Sequence, residues 1–197
     1  MNTRRSYTMG ARARAVEETR RRVVAALFEL SNERLFTDIS LDDVAGVAGV
    51  SVQTILRQFG SRAGLIEAMI AHGKDAIAEE RRTPVGDVES AVRVLVDHYE
   101  RRGNATLLML AQESSHPQIA EITRFGRVTH REWVEQVFAP YISGDPELVN
   151  LLVVATDLYT WKLLRRDRRL SRARTEQHVT RLIRALLRES SSNGDHP

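Results

Sequence analysis

The segment that most constrains this chain is residues 39–65, ISLDDVAGVAGVSVQTILRQFGSRAGL. Ser40 is followed three residues later by Asp43, the spacing at which a hydroxyl and a carboxylate cap a helix start reciprocally. The helix so opened, Leu41–Ala48, meets Gly49, which takes left-handed backbone without penalty and stops it. Ser51 caps a second helix, Val52–Phe59, and Gly60 ends it. Ser61 caps a third. Two short helices joined by a glycine turn pack in few ways. Ala45 is small enough for the second helix to cross closely, and Ile55 faces inward from that helix. Val44, Val47, Val50 and Phe59 complete the apolar side. This is the layout of a helix-turn-helix.

The opposite face of the second helix shows Ser51, Val52, Gln53, Thr54, Arg57 and Gln58. A helix of this width can enter a major groove, with its N-terminal residues nearest the base edges. The competing reading is a three-helix packing unit with no ligand. A preceding helix over about residues 12–36 carries Val16, Val24, Leu27, Phe28 and Leu35 at helical spacing. Residues 1–22 hold seven arginines against two glutamates, a local charge of +5. That basic arm either follows phosphates or is a solvated disordered tail.

Residues 24–70 resemble the DNA-binding domain of the TetR family. The resemblance rests on an aromatic closing the first helix, a Ser-capped second helix, Ala-Gly-Val-Ser, and Thr-x-x-x-x-Phe followed by a basic residue and Leu. It implies that Ser51, Val52, Gln53 and Thr54 approach base edges. Ser40 and Leu41 would open the helix that faces the backbone, and Arg62 would hold a phosphate at the start of the fourth helix. Three positions depart from the family. Leu56 stands where tyrosine is usual, Gln58 where histidine is common and Gly60 where proline is common. The tyrosine's phosphate contact is then lost, or Arg57 replaces it. The family resemblance also implies a homodimer on a palindromic operator, with a small-molecule site in the second domain.

The remainder reads as helix throughout. The pattern breaks at Thr83-Pro84-Val85-Gly86 and resumes at Val88, with a helix ending near Gly103 and an apolar stretch over 104–115. Helix is expected again over Ile119–Ile142. Pro146 is placed to open the next helix. Residues 147–164 are apolar on nearly all sides, so that helix must be covered on several faces. A last helix spans about 172–188, and residues 190–197 read as a disordered tail.

The fold class expected is therefore all-α. Residues 1–66 form a three-helix DNA-binding domain with a basic arm, and residues 67–197 a helical ligand-binding and dimerisation domain. Helices within 146–188 are expected to form the homodimer interface. Arg165, Arg166, Arg168 and Arg169 follow them, as a solvated helix end or a second nucleic-acid contact. Met109, Phe125, Trp133, Tyr159 and Trp161 are the candidate lining of an effector pocket, with plain core as the competing reading for each. The fourth helix, residues 62–80, would transmit the shift between the two sites.

Cysteine is absent, which excludes disulfides, thiolate catalysis and zinc–thiolate sites. The six histidines lack metal-ligand spacing, and no phosphate-binding or nucleophile-elbow motif occurs. The expectation is a regulator with no enzymatic activity, cofactor or metal. No apolar run reaches membrane length and no secretory leader is read, so the expected location is cytoplasmic, on the nucleoid. The alternative on the same fold is an architectural or cell-cycle DNA-binding protein without a small-molecule effector.

Overall fold

The computed structural model describes the backbone of residues 3–142 and 144–193, with side-chain surroundings given for residues 13–142 and 144–189. No strand occurs among the described residues. The helices are α1 (Thr3–Glu33), α2 (Leu41–Ala48), α3 (Val52–Phe59), α4 (Arg62–Glu80), α5 (Val88–Gln112), α6 (Pro117–Val137), α7 (Ala139–Ile142), α8 (Pro146–Ala155), α9 (Leu158–Lys162) and α10 (Arg172–Asn193). The chain divides into two compact units, Met1–Asp75 and Ala76–Pro197. The division falls inside α4 rather than at residue 66. The reason is that Leu65, Ile66, Met69 and Gly73 of α4 are buried in the first unit, where Gly73 lies against Phe28.

In the first unit the caps stand where the sequence places them. Ser40 and Asp43 form the full reciprocal cap of α2, and Gly49 closes it at φ +66°. Ser51 accepts the Thr54 amide at the start of α3, and Ser61 accepts the Gly64 amide at the start of α4. Val23, Ala26, Leu27, Leu30, Phe36, Ile39, Val44, Ile55 and Leu65 form the core. Three apolar expectations change. Val16 and Leu35 are exposed, Val47 is 54% exposed, and α1 presents Val23, Ala26 and Leu30 to the core in addition to Val24 and Leu27. The buried face of α1 is therefore wider than the one read from the sequence. Helical backbone begins at Thr3, so much of the expected arm is part of α1.

The second unit is built around α5, which packs on α6, α9 and α10, while α8 packs on α6 and α10. Its core includes Val92, Leu95, Val96, Tyr99, Trp133, Val134, Val137, Phe138, Leu152, Leu158, Trp161 and Ile183. Pro146 opens α8, with Asp145 capping it through the Glu147 and Leu148 amides. Gly103 does not end a helix, since α5 runs on to Gln112. Instead the Trp161 ring seats against Gly103, where a Cβ would stand 2.6 Å from its nearest atom.

The apolar stretch 147–164 is not one helix. It breaks after Ala155, where Asp157 is extended and caps α9 through the Tyr159 amide. The break frees the Thr156 carbonyl to accept the buried Tyr99 hydroxyl at 3.0 Å. A π-helical turn, Leu163–Asp167, follows α9. The last helix extends to Asn193, past the expected end at 188, and residues 194–197 of the expected tail lie outside the described residues.

Candidate nucleic-acid interface

The α3 helix is divided sharply between an inner and an outer face. Ile55 is 0% exposed and Phe59 is buried, while Ser51, Gln53, Leu56 and Arg57 are exposed. Val52, Thr54 and Gln58 are half-buried along the edges. The structure thus gathers the sequence-derived residues Ser51 to Thr54, Leu56, Arg57 and Gln58 on one short, capped helix. Ser51 Oγ and Thr54 Oγ1 are 3.0 Å apart, so those hydroxyls share a hydrogen bond and retain one further hydrogen between them. Gln53 and Arg57 extend outward with no partner fixed for their polar ends, and Leu56 offers an exposed aliphatic surface between them.

What holds α3 in place was not legible from local spacing. The Arg20 guanidinium donates to the Gln58 carbonyl at 3.1 Å and lies 4.5 Å from the centre of the Phe59 ring. A cation there meets the negative end of the helix. Arg20 belongs to the basic stretch read as a possible phosphate contact, and its charge is spent on the scaffold.

Arg62, expected to hold a phosphate, is likewise engaged within the fold. Its guanidinium instead donates to the carbonyls of Ile39 and Phe36, the latter at 3.1 Å, and lies 5.6 Å from the Phe36 ring centre. It closes the connection between α1 and α2, where the Phe36 carbonyl otherwise accepts only the Ile39 amide at 3.4 Å. Gly64 is a second scaffold residue missed by the sequence reading. A Cβ on it would stand 2.2 Å from the Phe59 carbonyl oxygen, so only glycine lets α4 turn away from α3 so tightly.

Ser40 is exposed and Leu41 half-buried at the start of α2. The Ser40 hydroxyl is engaged with the Asp43 carboxylate at 2.5 Å, and the Asp43 carboxylate also meets Arg34 at 3.0 Å. Hydrogen bonds from Ser40 hold the Asp43 carboxyl below its ordinary range, so it stays ionised. Phosphate contact at this helix start would fall to backbone amides rather than to the hydroxyl.

The five candidate effector residues differ in burial. Trp133 and Trp161 are buried in the second unit's core. Their indole N–H groups donate to the Arg81 carbonyl and to Glu100 respectively, each at 3.1 Å. Met109 and Phe125 are half-buried, and Tyr159 is exposed. None of the five lines the groove of about 640 Å³ between α5 and α10, which is bordered by Arg93, Arg181, Arg184 and Arg188 with Glu89 and Glu176. Of the basic residues after α9, Arg165 pairs with Glu100 at 2.8 Å and Arg166 lies 5.2 Å from the Trp161 ring centre. Arg168 and Arg169 are exposed. Among the described residues no group of three or more acidic, histidine or cysteine side chains is arranged to hold a metal ion. None of their helices is long and apolar enough to cross a membrane.

These two units, one a helix-turn-helix and one a helical bundle, define an all-α fold shared with solved transcriptional regulators. A transcriptional regulator from Rhodococcus sp. Rha1 is similar with a TM-score of 0.65 and 20% identity, over 86% of this chain and 96% of that one. A TetR-family transcriptional regulator from Streptomyces coelicolor is similar with a TM-score of 0.63 and 20% identity, over 90% of this chain and 83% of that one. At that identity the likeness is one of fold. No family model and no curated protein matches the chain.

Proposed function

We propose that the chain is a one-component, sequence-specific DNA-binding transcriptional regulator that acts as a homodimeric repressor. The observation that carries this reading is the two-faced α3. Its inner face is locked by Ile55, Phe59 and Arg20, and its outer face presents Ser51, Gln53, Leu56 and Arg57. A rigid helix with an outward polar face is what base readout requires, because the backbone must hold its side chains in register with the base edges. Gln53 is the residue suited to adenine and Leu56 to a thymine methyl group. Arg57 takes guanine or phosphate.

Dimerisation is supported by the apolar residues left uncovered on α8 and α10. Leu151, Val154 and Leu182 are exposed, with Val154 at 64%. A second copy would cover them, and a two-fold dimer would require a palindromic site. A small apolar or amphipathic effector in the second unit would release the operator by linkage, at about 1–3 kcal/mol of coupling. Met109, Phe125, Trp133, Tyr159 and Trp161 remain the proposed contacts for its apolar part. The dense packing of Trp133 and Trp161 favours the second reading, an architectural DNA-binding protein without an effector.

Selection of bound duplexes from a randomised pool, at about 150 mM salt, tests the reading. Enrichment of a palindrome with two equal half-sites is the expected result. Weak, salt-driven binding without an enriched motif would refute sequence-specific regulation.

A further inference from the structure

Arg81 follows directly after α4 and is only 7% exposed. Buried charges are normally paired. Among the described residues, no carboxylate forms an ion pair with this one. The adjacent Glu80 carboxylate is already occupied by His98 at 2.8 Å and by the Arg102 guanidinium, whose Nε is at 3.0 Å. Arg101 pairs with Asp97 at 2.8 Å.

Aromatic and neutral groups surround the Arg81 guanidinium. The Tyr99 and Trp133 ring centres lie 5.4 and 5.9 Å from its central carbon. Its Nη1 meets His130 Nδ1 at 3.3 Å. Thr156 Oγ1 donates to the Leu152 carbonyl at 2.7 Å, so it accepts from His130 Nε2 at 3.1 Å. His130 is therefore the Nε2–H tautomer, and its Nδ1 lone pair faces Arg81. Burial, and next the charge on Arg81, push His130 down to about 3 and His98 down to about 4, so neither adds charge at neutral pH. The set Glu80, Arg81 and Arg102 keeps one uncompensated positive charge.

Three buried polar atoms of the second unit lack any hydrogen-bond partner: Arg81 Nε, Thr83 Oγ1 and Thr129 Oγ1. The fourth such atom among the described residues, Gln58 Oε1, is in the first unit. Arg81 and Thr83 lie on residues 81–86, which run along α6 from Trp133 to Val137, and Thr129 lies on α6 one turn before Trp133. There Trp133 Nε1 donates to the Arg81 carbonyl, and the Gly86 amide donates to the Val137 carbonyl at 2.8 Å. All three atoms can donate, and the local charge is positive. A cation would be repelled, and a neutral ligand would leave the charge unpaired. An anion satisfies both requirements.

We propose that Arg81, with the hydroxyls of Thr83 and Thr129, is an anion receptor, and that the effector of this protein is an organic acid whose carboxylate pairs with Arg81. This inference rests on the effector reading given above. The Tyr99 and Trp133 rings supply the apolar wall for the body of the acid. A free inorganic anion offers the same chemistry.

The test is thermal unfolding of the full-length protein followed by tryptophan fluorescence, without DNA. Both tryptophans, Trp133 and Trp161, belong to the second unit, so the readout is independent of operator binding. Sodium benzoate is titrated against its neutral analogue benzamide at constant ionic strength, in chloride and in gluconate backgrounds. Benzoate at about ten times its Kd should raise Tm by roughly 3 °C or more, and benzamide should not. In Arg81→Met, which removes the unpaired charge and should fold, the benzoate response should vanish. A response to chloride over gluconate that also needs Arg81, with none to benzoate, keeps the receptor and overturns the organic acid. If Arg81→Met does not fold, Thr129→Val carries the comparison, with benzoate affinity expected to fall several-fold. No response to any anion, or a response unchanged in the variants, overturns the receptor, whether or not the palindrome is bound.

Discussion

Gly103→Ala should destabilise the second unit, although alanine is the better helix former. In a helix interior the exchange is intrinsically worth about 1 kcal/mol in favour of alanine. Here the new Cβ would stand 2.6 and 2.8 Å from two carbons of the Trp161 ring and 3.3 Å from Leu158 Cδ1. Favourable carbon contacts begin near ~3.5 Å. Trp161 is 1% exposed and its indole N–H is bound to Glu100, so the ring has no cheap retreat. Overpacking of this kind costs about 1–3 kcal/mol, and with no retreat for the ring the upper end applies, which leaves a net loss of about 2 kcal/mol. For a unit of this size that lowers Tm by roughly 8 °C. Gly126→Ala is the internal control. It lies on the exposed side of α6 with nothing within 4 Å of a new Cβ, so it should raise stability by about 1 kcal/mol. Tryptophan fluorescence on heating, at one protein concentration, follows both variants. If Gly103→Ala is as stable as Gly126→Ala, the Trp161 ring does not lie against α5 as described and the reasoning fails.

Arg62→Met should destabilise the first unit by about 2 kcal/mol, because it removes the donor from the Ile39 carbonyl and leaves the Phe36 carbonyl with the Ile39 amide alone. Amide hydrogen exchange in α2 would show this. The slope of log K against log salt should not change, whereas loss of a phosphate contact would lower it by about 0.9. Acid should weaken the second unit before any carboxylate titrates. In the unfolded chain His98 and His130 take up protons below about pH 6.5. In the folded unit they stay neutral down to about 4 and about 3. Stability is thus full above 6.5 and falls towards pH 4 by up to about 1.4 kcal/mol per pH unit per histidine, a loss that urea unfolding at pH 7.5, 6 and 5 would measure. Combining Val154→Glu with Leu182→Glu should convert a dimer into a monomer by light scattering while leaving the helical circular dichroism unchanged.

The first unit was readable because its signals are local. Ser40 with Asp43, Gly49 and Ser51 each act within four residues, and α2 and α3 begin and end where those residues predict. The roles of Arg20 and Arg62 could not be read that way. Their partners lie 38 and 23–26 positions away, and nothing in spacing separates an arginine that meets a carbonyl from one that meets a phosphate. In the second unit two signals were present and misweighed. Thr156-Asp157 is a cap inside an apolar run, and Gly103 is a close approach rather than a stop. The cluster around Arg81 was hidden more deeply. Nothing in the spacing around Arg81, two residues before Thr83-Pro84-Val85-Gly86, marks it as buried, and the packing of residues 81–86 on α6 covers it.

The most direct test of the central claim is the affinity of Gln53→Ala for the selected palindrome, by fluorescence anisotropy across a salt series. Gln53 is exposed and makes no contact that the fold needs, so stability should be unchanged. The account predicts that Kd rises by about tenfold or more for the palindrome and hardly at all for random duplex, with the same salt slope. Equal affinity of wild type and variant for the palindrome, repeated in Arg57→Ala, would show that α3 does not read the bases and would contradict the account.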